Sequence, residues 1–171
     1  MNTIAVIPAR YASTRFPGKP LISIGGKTMI ERVWEQARQA KLVSKVIVAT
    51  DDERIASAVR SFGGEVALTR ADHRSGTERV AEVAAAHKEA EILVNVQGDM
   101  PLIDPAAIDA AIEALREDES VNMATLAVPI SNAAEIMDPN VVKTVVDFDG
   151  KNVVEFDRIR CTICCTTPHD A

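Results

Sequence analysis

The sequence predicts an α/β fold: a Rossmann-like, mostly parallel sheet flanked by helices, with a partial antiparallel appendage near the carboxy-terminal end. Three observations carry this. Short apolar runs rich in branched side chains recur along the chain, amphipathic stretches of helical period separate them, and the alternation stops at about Pro129. Residues 1–130 are accordingly expected to form one core, and residues 131–171 an appendage with a cysteine-rich tail. A length of 171 residues suits a single domain with a small addition.

The elements follow in order. Thr3 to Ala9 is a near-continuous apolar run and reads as a buried parallel strand. Thr28-Met-Ile-Glu31 has the capping-box spacing, and Ile30, Val33, Trp34 and Ala37 then recur on one face of a helix. Lys45 to Thr50 is a second buried strand. Thr50-Asp-Asp-Glu53 repeats the capping-box spacing, and Ile55, Val59 and Phe62 form the next stripe, which Gly63-Gly64 ends. Glu65 to Leu68 is a third strand, followed by the box Ser75-Gly-Thr-Glu78 and a helix with Val80, Val83, Ala84 and His87 on its apolar side. Glu91 to Val96 is a fourth strand. Asp104-Pro105 then opens a helix by capping and a first-turn proline, with Ile108, Ala111, Ile112 and Leu115 as its buried face. Asn122 to Val128 is expected as a fifth strand. Beyond it, Val141 to Val146 and Asn152 to Phe156 read as two strands around the turn 147–150, with no helix between them. The tail from Arg160 shows no period and reads as a frayed terminus.

Charge narrows the function. The net charge is −6, which argues against a nucleic-acid partner. Yet residues 1–41 hold seven basic residues against two acidic ones, whereas the remaining 130 hold 12 basic and 23 acidic. A local positive field in an acidic chain suits a small anionic ligand. No apolar run reaches the roughly 18 residues of a membrane span, and the amino terminus lacks a secretory pattern, so a cytoplasmic protein is expected. Cys161, Cys164 and Cys165 are too close together to staple a fold. With His169 they make a poor zinc set, because structural zinc takes ligand pairs from separate turns.

Ligands of open α/β sheets bind outside the carboxyl ends of the strands, which places three loops on one rim: 8–20, 69–77 and 97–103. The first lacks both common glycine-rich phosphate motifs but offers Arg10, Arg15 and Lys19 as cationic donors. The second starts a helix whose amides could face a polar ligand, with His73 beside it. In the third, Asp99 follows a buried strand and Gly98. It is the best single candidate for a magnesium ligand, a turn or cap role being the alternative. His87, on the helical stripe, reads as a packed or boundary residue.

These residues carry a resemblance. Ile7 to Leu21, Val48 to Asp51, Thr69 to Arg79, Val94 to Asp99 and Met123 to Val128 together resemble, in order, the signature of the CMP-Kdo synthetase (3-deoxy-manno-octulosonate cytidylyltransferase) family. The likeness covers residues 1 to about 147. It implies a homodimeric enzyme of lipopolysaccharide synthesis that joins CTP to the eight-carbon sugar acid Kdo, giving CMP-Kdo and pyrophosphate with Mg2+ as cofactor. It also implies that Arg10, Lys19 and Asp99 carry catalysis. Ala9, Arg10, Lys19, Ser75 and Gly76 would hold the nucleotide, Arg15 and Gln97 would face the sugar acid, and Asp99 would hold the metal. Two alternatives stay open: a chain that binds CTP without turnover, and a cytidylyltransferase for a related sugar acid.

The chain departs from the family pattern in three places. Met100 stands where the family usually has a glutamate after the metal aspartate. Phe156 to Ile163 matches the family weakly, with Arg158 as the one correspondence. Family members also continue through the rest of a dimerisation insertion and a further stretch with sugar contacts and a second metal aspartate, so the ending reads as truncated or divergent.

Overall fold

The first predicted strand forms over its whole length: β1 spans Thr3–Ala9 and is almost entirely buried. A computed structural model describes residues 1–12, 16–138, 141, 143–146, 153–157 and 163–166. After β1 come a 3-10 turn, Lys19–Leu21, and a hairpin of β2, Ser23–Ile24, with β3, Lys27–Thr28. The core then alternates α1, Met29–Gln39; β4, Lys45–Thr50; α2, Glu53–Ser61; β5, Glu65–Leu68; α3, Gly76–Ala86; β6, Ile92–Asn95; and α4, Pro105–Glu117. The remaining elements are β7, Met123–Thr125; α5, Ala133–Met137; β8, Lys143–Val146; β9, Val153–Asp157; and β10, Ile163–Thr166.

The main sheet has the order β5-β4-β1-β6-β10-β7, with β5, β4, β1 and β6 parallel. Side chains alternate across β1 as the pleat requires, and each face meets its own helices. Ala5, Ile7 and Ala9 pack with the faces of α1, α2 and α4, including Ile30, Val33, Ile55, Val59, Ile108 and Ile112. Ile4 and Val6 point the other way, toward Val80 and Val83 of α3. Each fully buried isoleucine or valine among them contributes about 1.5–3 kcal/mol over leaving it in water. The chain runs outward from β1 to β4 and β5 and then returns to β6 on the other side, so the switch point lies between β1 and β6.

Three helix starts form as expected: the Thr28, Ser75 and Asp104 side chains accept amides of the following turn. The start at Thr50 moves. Thr50 stays in β4, its Oγ1 accepting the Asp52 amide, and Asp52 is the cap that accepts Arg54 N. An aspartate two residues closer to the helix outcompetes the threonine because the sheet holds the threonine backbone extended. His87 caps the carboxyl end of α3 and pairs with Glu89 at 2.8 Å.

The expected fifth strand, Asn122 to Val128, shortens to Met123–Thr125 at the sheet edge. Its partner is the segment expected to fray: Ile163–Thr166 forms β10, antiparallel to β6 and β7 and lying between them. A four-residue strand with such distant partners has no local signature. The appendage pair β8 and β9 is antiparallel as expected, while its turn at 147–150 lies outside the described residues. So do Arg158, Cys161 and His169. Among the described residues no helix is long and apolar enough to cross a membrane.

Candidate active site

The three rim loops converge on one cleft of about 570 Å³ at the switch point. From the end of β1 it takes Pro8, Ala9 and Arg10, and from the 3-10 turn Lys19. His73, Ser75 and Gly76 form the wall at the start of α3, and Gln97, Gly98 and Asp99 the wall after β6. Two glycines let these walls close on β1. A Cβ on Gly98 would stand 2.9 Å from the Pro8 carbonyl oxygen, and one on Gly76 would stand 3.1 Å from Pro8 Cγ. Any larger residue would push the 97–99 turn or the first turn of α3 outward.

Across the cleft Lys19 Nζ donates to Asp99 Oδ2 at 2.7 Å. Both side chains are about one-third exposed, so the pair can open to a ligand. Lys19 is aimed by its own turn: Gly18 N donates to Tyr11 O at 2.9 Å, closing the loop that begins at Arg10. The Tyr11 ring lies close to Gly18 and also carries the Arg54 guanidinium, 3.3 Å from its centroid. Arg54 in turn forks onto Asp52 and, by that hydrogen bond, holds the Asp52 carboxyl below its ordinary range. Arg10 is exposed and has no ion-pair partner among the described residues.

The 69–76 wall is fastened to α3 from both sides. Glu78 accepts the Arg74 amide at 2.8 Å, and Glu82 accepts the Arg70 amide at 3.2 Å. The His73 side chain, 5% exposed, is hydrogen-bonded to Glu82, and that bond holds the Glu82 carboxyl below its usual value. On the inner side Arg79, 3% exposed, places Nη2 3.2 Å from Asp51 Oδ1 and donates from Nη1 to Thr69 Oγ1.

Residues 4–157 match the family model described as cytidylyltransferase. A solved structure of CMP:2-keto-3-deoxy-manno-octonic acid synthetase complexed with CTP superposes with a TM-score of 0.87 at 39% identity, over 97% of this chain and 74% of that one. The chain belongs to the CMP-Kdo synthetase family of cytidylyltransferases. Curated relatives named 3-deoxy-manno-octulosonate cytidylyltransferase agree. The one from Syntrophotalea carbinolica is 58% identical over 88% of this chain and 60% of its own length. That from Solibacter usitatus is 54% identical over 92% of this chain and 64% of its own length. The chain thus spans about 60% of the first curated relatives it matches. A 4-diphosphocytidyl-2C-methyl-D-erythritol synthase, 17% identical with a TM-score of 0.65, shares the fold.

For this CMP-Kdo synthetase family member, Ala9, Arg10 and Lys19 line the same cleft as Ser75, Gly76, Gln97 and Asp99. Arg15 lies outside the described residues. His73 joins the cleft as a wall-fastening group. Gln97 donates to Asn95 Oδ1 at 3.1 Å. Asp99 sits in a turn where Met100 N donates to Gln97 O, as its turn reading expects. Its one accessible carboxylate suits a cation that arrives with phosphate oxygens of its own, not a cage made by the protein. No cluster of three or more His, Cys, Asp or Glu poised for a metal occurs among the described residues. Sequence reasoning missed Arg79, Asp51 and Thr69 as a unit. The one available signal was an arginine inside the apolar stripe of α3, adjacent to Val80.

Proposed function

We propose that the cleft binds CTP and catalyses transfer of its cytidylyl group to a Kdo-like sugar acid. Arg10 and Lys19 neutralise the triphosphate. Ala9, Ser75 and Gly76 receive the nucleoside, and Gln97 and Arg15 face the sugar acid. The anomeric hydroxyl of the sugar attacks the α-phosphorus and gives up its proton to solvent as a new P–O bond forms, and pyrophosphate leaves with the electrons of the broken bond between the α-phosphorus and the bridging oxygen. Such transfers need positioning and charge neutralisation more than a covalent nucleophile. Magnesium held by Asp99 and phosphate oxygens would supply electrostatic relief of the phosphate charge. Lys19 exchanges its Asp99 partner for phosphate, which would leave the Asp99 carboxylate to hold the cation. In this reading residues 1–130, joined by β10 in the main sheet, are the nucleotide-binding core, the rest of 131–171 serves an appendage used in dimerisation, and the protein works in the cytoplasm.

The observation that carries this is the convergence of Arg10, Lys19, Ser75, Gly76 and Asp99 on one cleft, in a chain 39% identical to a synthetase solved with CTP. Met100, 39% exposed beside Asp99, favours a second reading in which CTP binds without turnover, because a second carboxylate is missing there. Pyrophosphate release with CTP, Kdo and magnesium, run beside calorimetry with CTP, separates the two. Product formation establishes the transferase. CTP affinity without product establishes the second reading, and no CTP affinity rejects both. A parallel assay with an amino analogue of Kdo fixes the acid.

A further inference from the structure

The cleft wall that carries Ser75 and Gly76 is held by a buried arginine with no part in the chemistry proposed above. Arg79 is 3% exposed although it lines the cleft. Its guanidinium reaches Asp51, the first residue beyond β4, and Thr69, the first beyond β5. Thr69 N donates to Thr50 O at 2.9 Å, so these two strand ends are themselves joined. One side chain therefore ties two adjacent strand ends to the first turns of α3. Gly76, three residues before it on the helix, is pressed against Pro8.

Asp51 keeps a side chain 21% exposed beside the buried guanidinium, and a half-buried ion pair of this kind is a poor source of net stability, since apolar residues of similar volume often do as well. A guanidinium instead adds direction: its planar donors fix several acceptors at once. We propose that Arg79, acting through Asp51 and Thr69, is a positioning residue that sets the nucleobase-facing edge of the cleft and so governs discrimination among nucleotides. The inference rests on the nucleotide reading above. It separates two parts of the site: the triphosphate cations Arg10 and Lys19 come from loop 8–20, whose described residues Arg79 does not bond. Arg79 should therefore control which base is accepted and leave phosphate affinity alone.

The test compares wild type, Arg79→Met, Asp51→Asn and the double apolar variant Arg79→Met/Asp51→Leu. Calorimetry measures CTP, UTP and inorganic tripolyphosphate, and thermal melting follows the fold. In Arg79→Met and Asp51→Asn, CTP affinity should fall about tenfold or more and the CTP-to-UTP ratio should move toward one, with tripolyphosphate affinity within about twofold of wild type. The double variant should regain wild-type melting temperature without regaining base preference. A structural role alone predicts that both recover together, and that result would overturn the proposal. So would an unchanged CTP-to-UTP ratio in the single variants, or a double variant that does not fold. Wild-type protein that binds tripolyphosphate but does not prefer CTP overturns the positioning role, whereas wild type that binds neither ligand overturns the nucleotide reading and this inference with it.

Discussion

Lys19 and Asp99 satisfy each other across 2.7 Å, so each is partly masked toward its ligand until the other is removed. With both side chains about one-third exposed, the pair contributes roughly 0.2–1 kcal/mol. Asp99→Asn should accordingly raise metal-free tripolyphosphate affinity, by up to about fivefold, because Lys19 loses its competitor. The same variant should lose the gain in CTP affinity that magnesium gives, and with it the magnesium-dependent turnover. Calorimetry with and without magnesium reads both effects, and an Asp99→Asn protein that still responds to the metal would remove Asp99 from the metal role. Lys19→Met should act in the opposite sense on phosphate, weakening CTP binding and flattening its salt dependence, because one counter-charge is gone.

Elements set how far those residues can move. The turn after β6 approaches β1 so closely that a Cβ on Gly98 would meet the Pro8 carbonyl oxygen at 2.9 Å. A main-chain oxygen cannot swing aside, so Gly98→Ala should cost about 1–3 kcal/mol. At about 2–4 °C per kcal/mol for a chain of this size, the melting temperature should drop by about 2–12 °C. CTP affinity in the presence of magnesium should fall with it, as Asp99 is carried away from the position in which it would hold the cation. The α3 wall depends on pH through Glu82. Hydrogen bonding from His73 lowers the Glu82 carboxyl below its ordinary 4.5. A depressed carboxyl stabilises the fold fully above that ordinary value and loses its contribution as pH falls through the lower folded value. Melting temperatures of wild type and Glu82→Gln should therefore differ above pH 4.5 and converge as the solution is acidified below it. A difference that does not change with pH would mean the bond acts by geometry alone. These elements also mark what the sequence can disclose. Helix starts at Thr28, Ser75 and Asp104 are legible because a cap and its amide lie within three residues of each other. The Asp52 cap is misread by two positions because the decisive fact, that the sheet holds Thr50, is not local. The hairpin at 23–28 gave too short a pattern to register.

At the scale of the whole molecule, the fold rule alone brought three loops to one rim, so most of the candidate site was legible before any contact was known. The pairings across it were not: Lys19 and Asp99 are 80 residues apart, and Asp51 reaches Arg79 from another strand end. The same limit hid β10, whose partners β6 and β7 lie far back in the chain. This strand yields a prediction that separates support of the fold from construction of the site. Every described residue lining the cleft lies between Pro8 and Asp99. Removing residues 161–171 strips β10 from both of its neighbours, leaving β6 as an open edge and β7 without a ladder. Each lost hydrogen bond costs about 0.5–1.5 kcal/mol net, and an unpaired edge invites association. The shortened chain should melt well below the parent and scatter light as its concentration rises. Measured cold and dilute, where it is still folded, its CTP affinity should stay within about twofold of the parent value, because no cleft residue has been touched. A shortened chain that keeps its melting temperature would show that β10 does not brace the sheet. One that stays folded yet loses CTP would show instead that the strand reaches the site through β6, whose carboxyl end leads directly into Gln97 and Asp99.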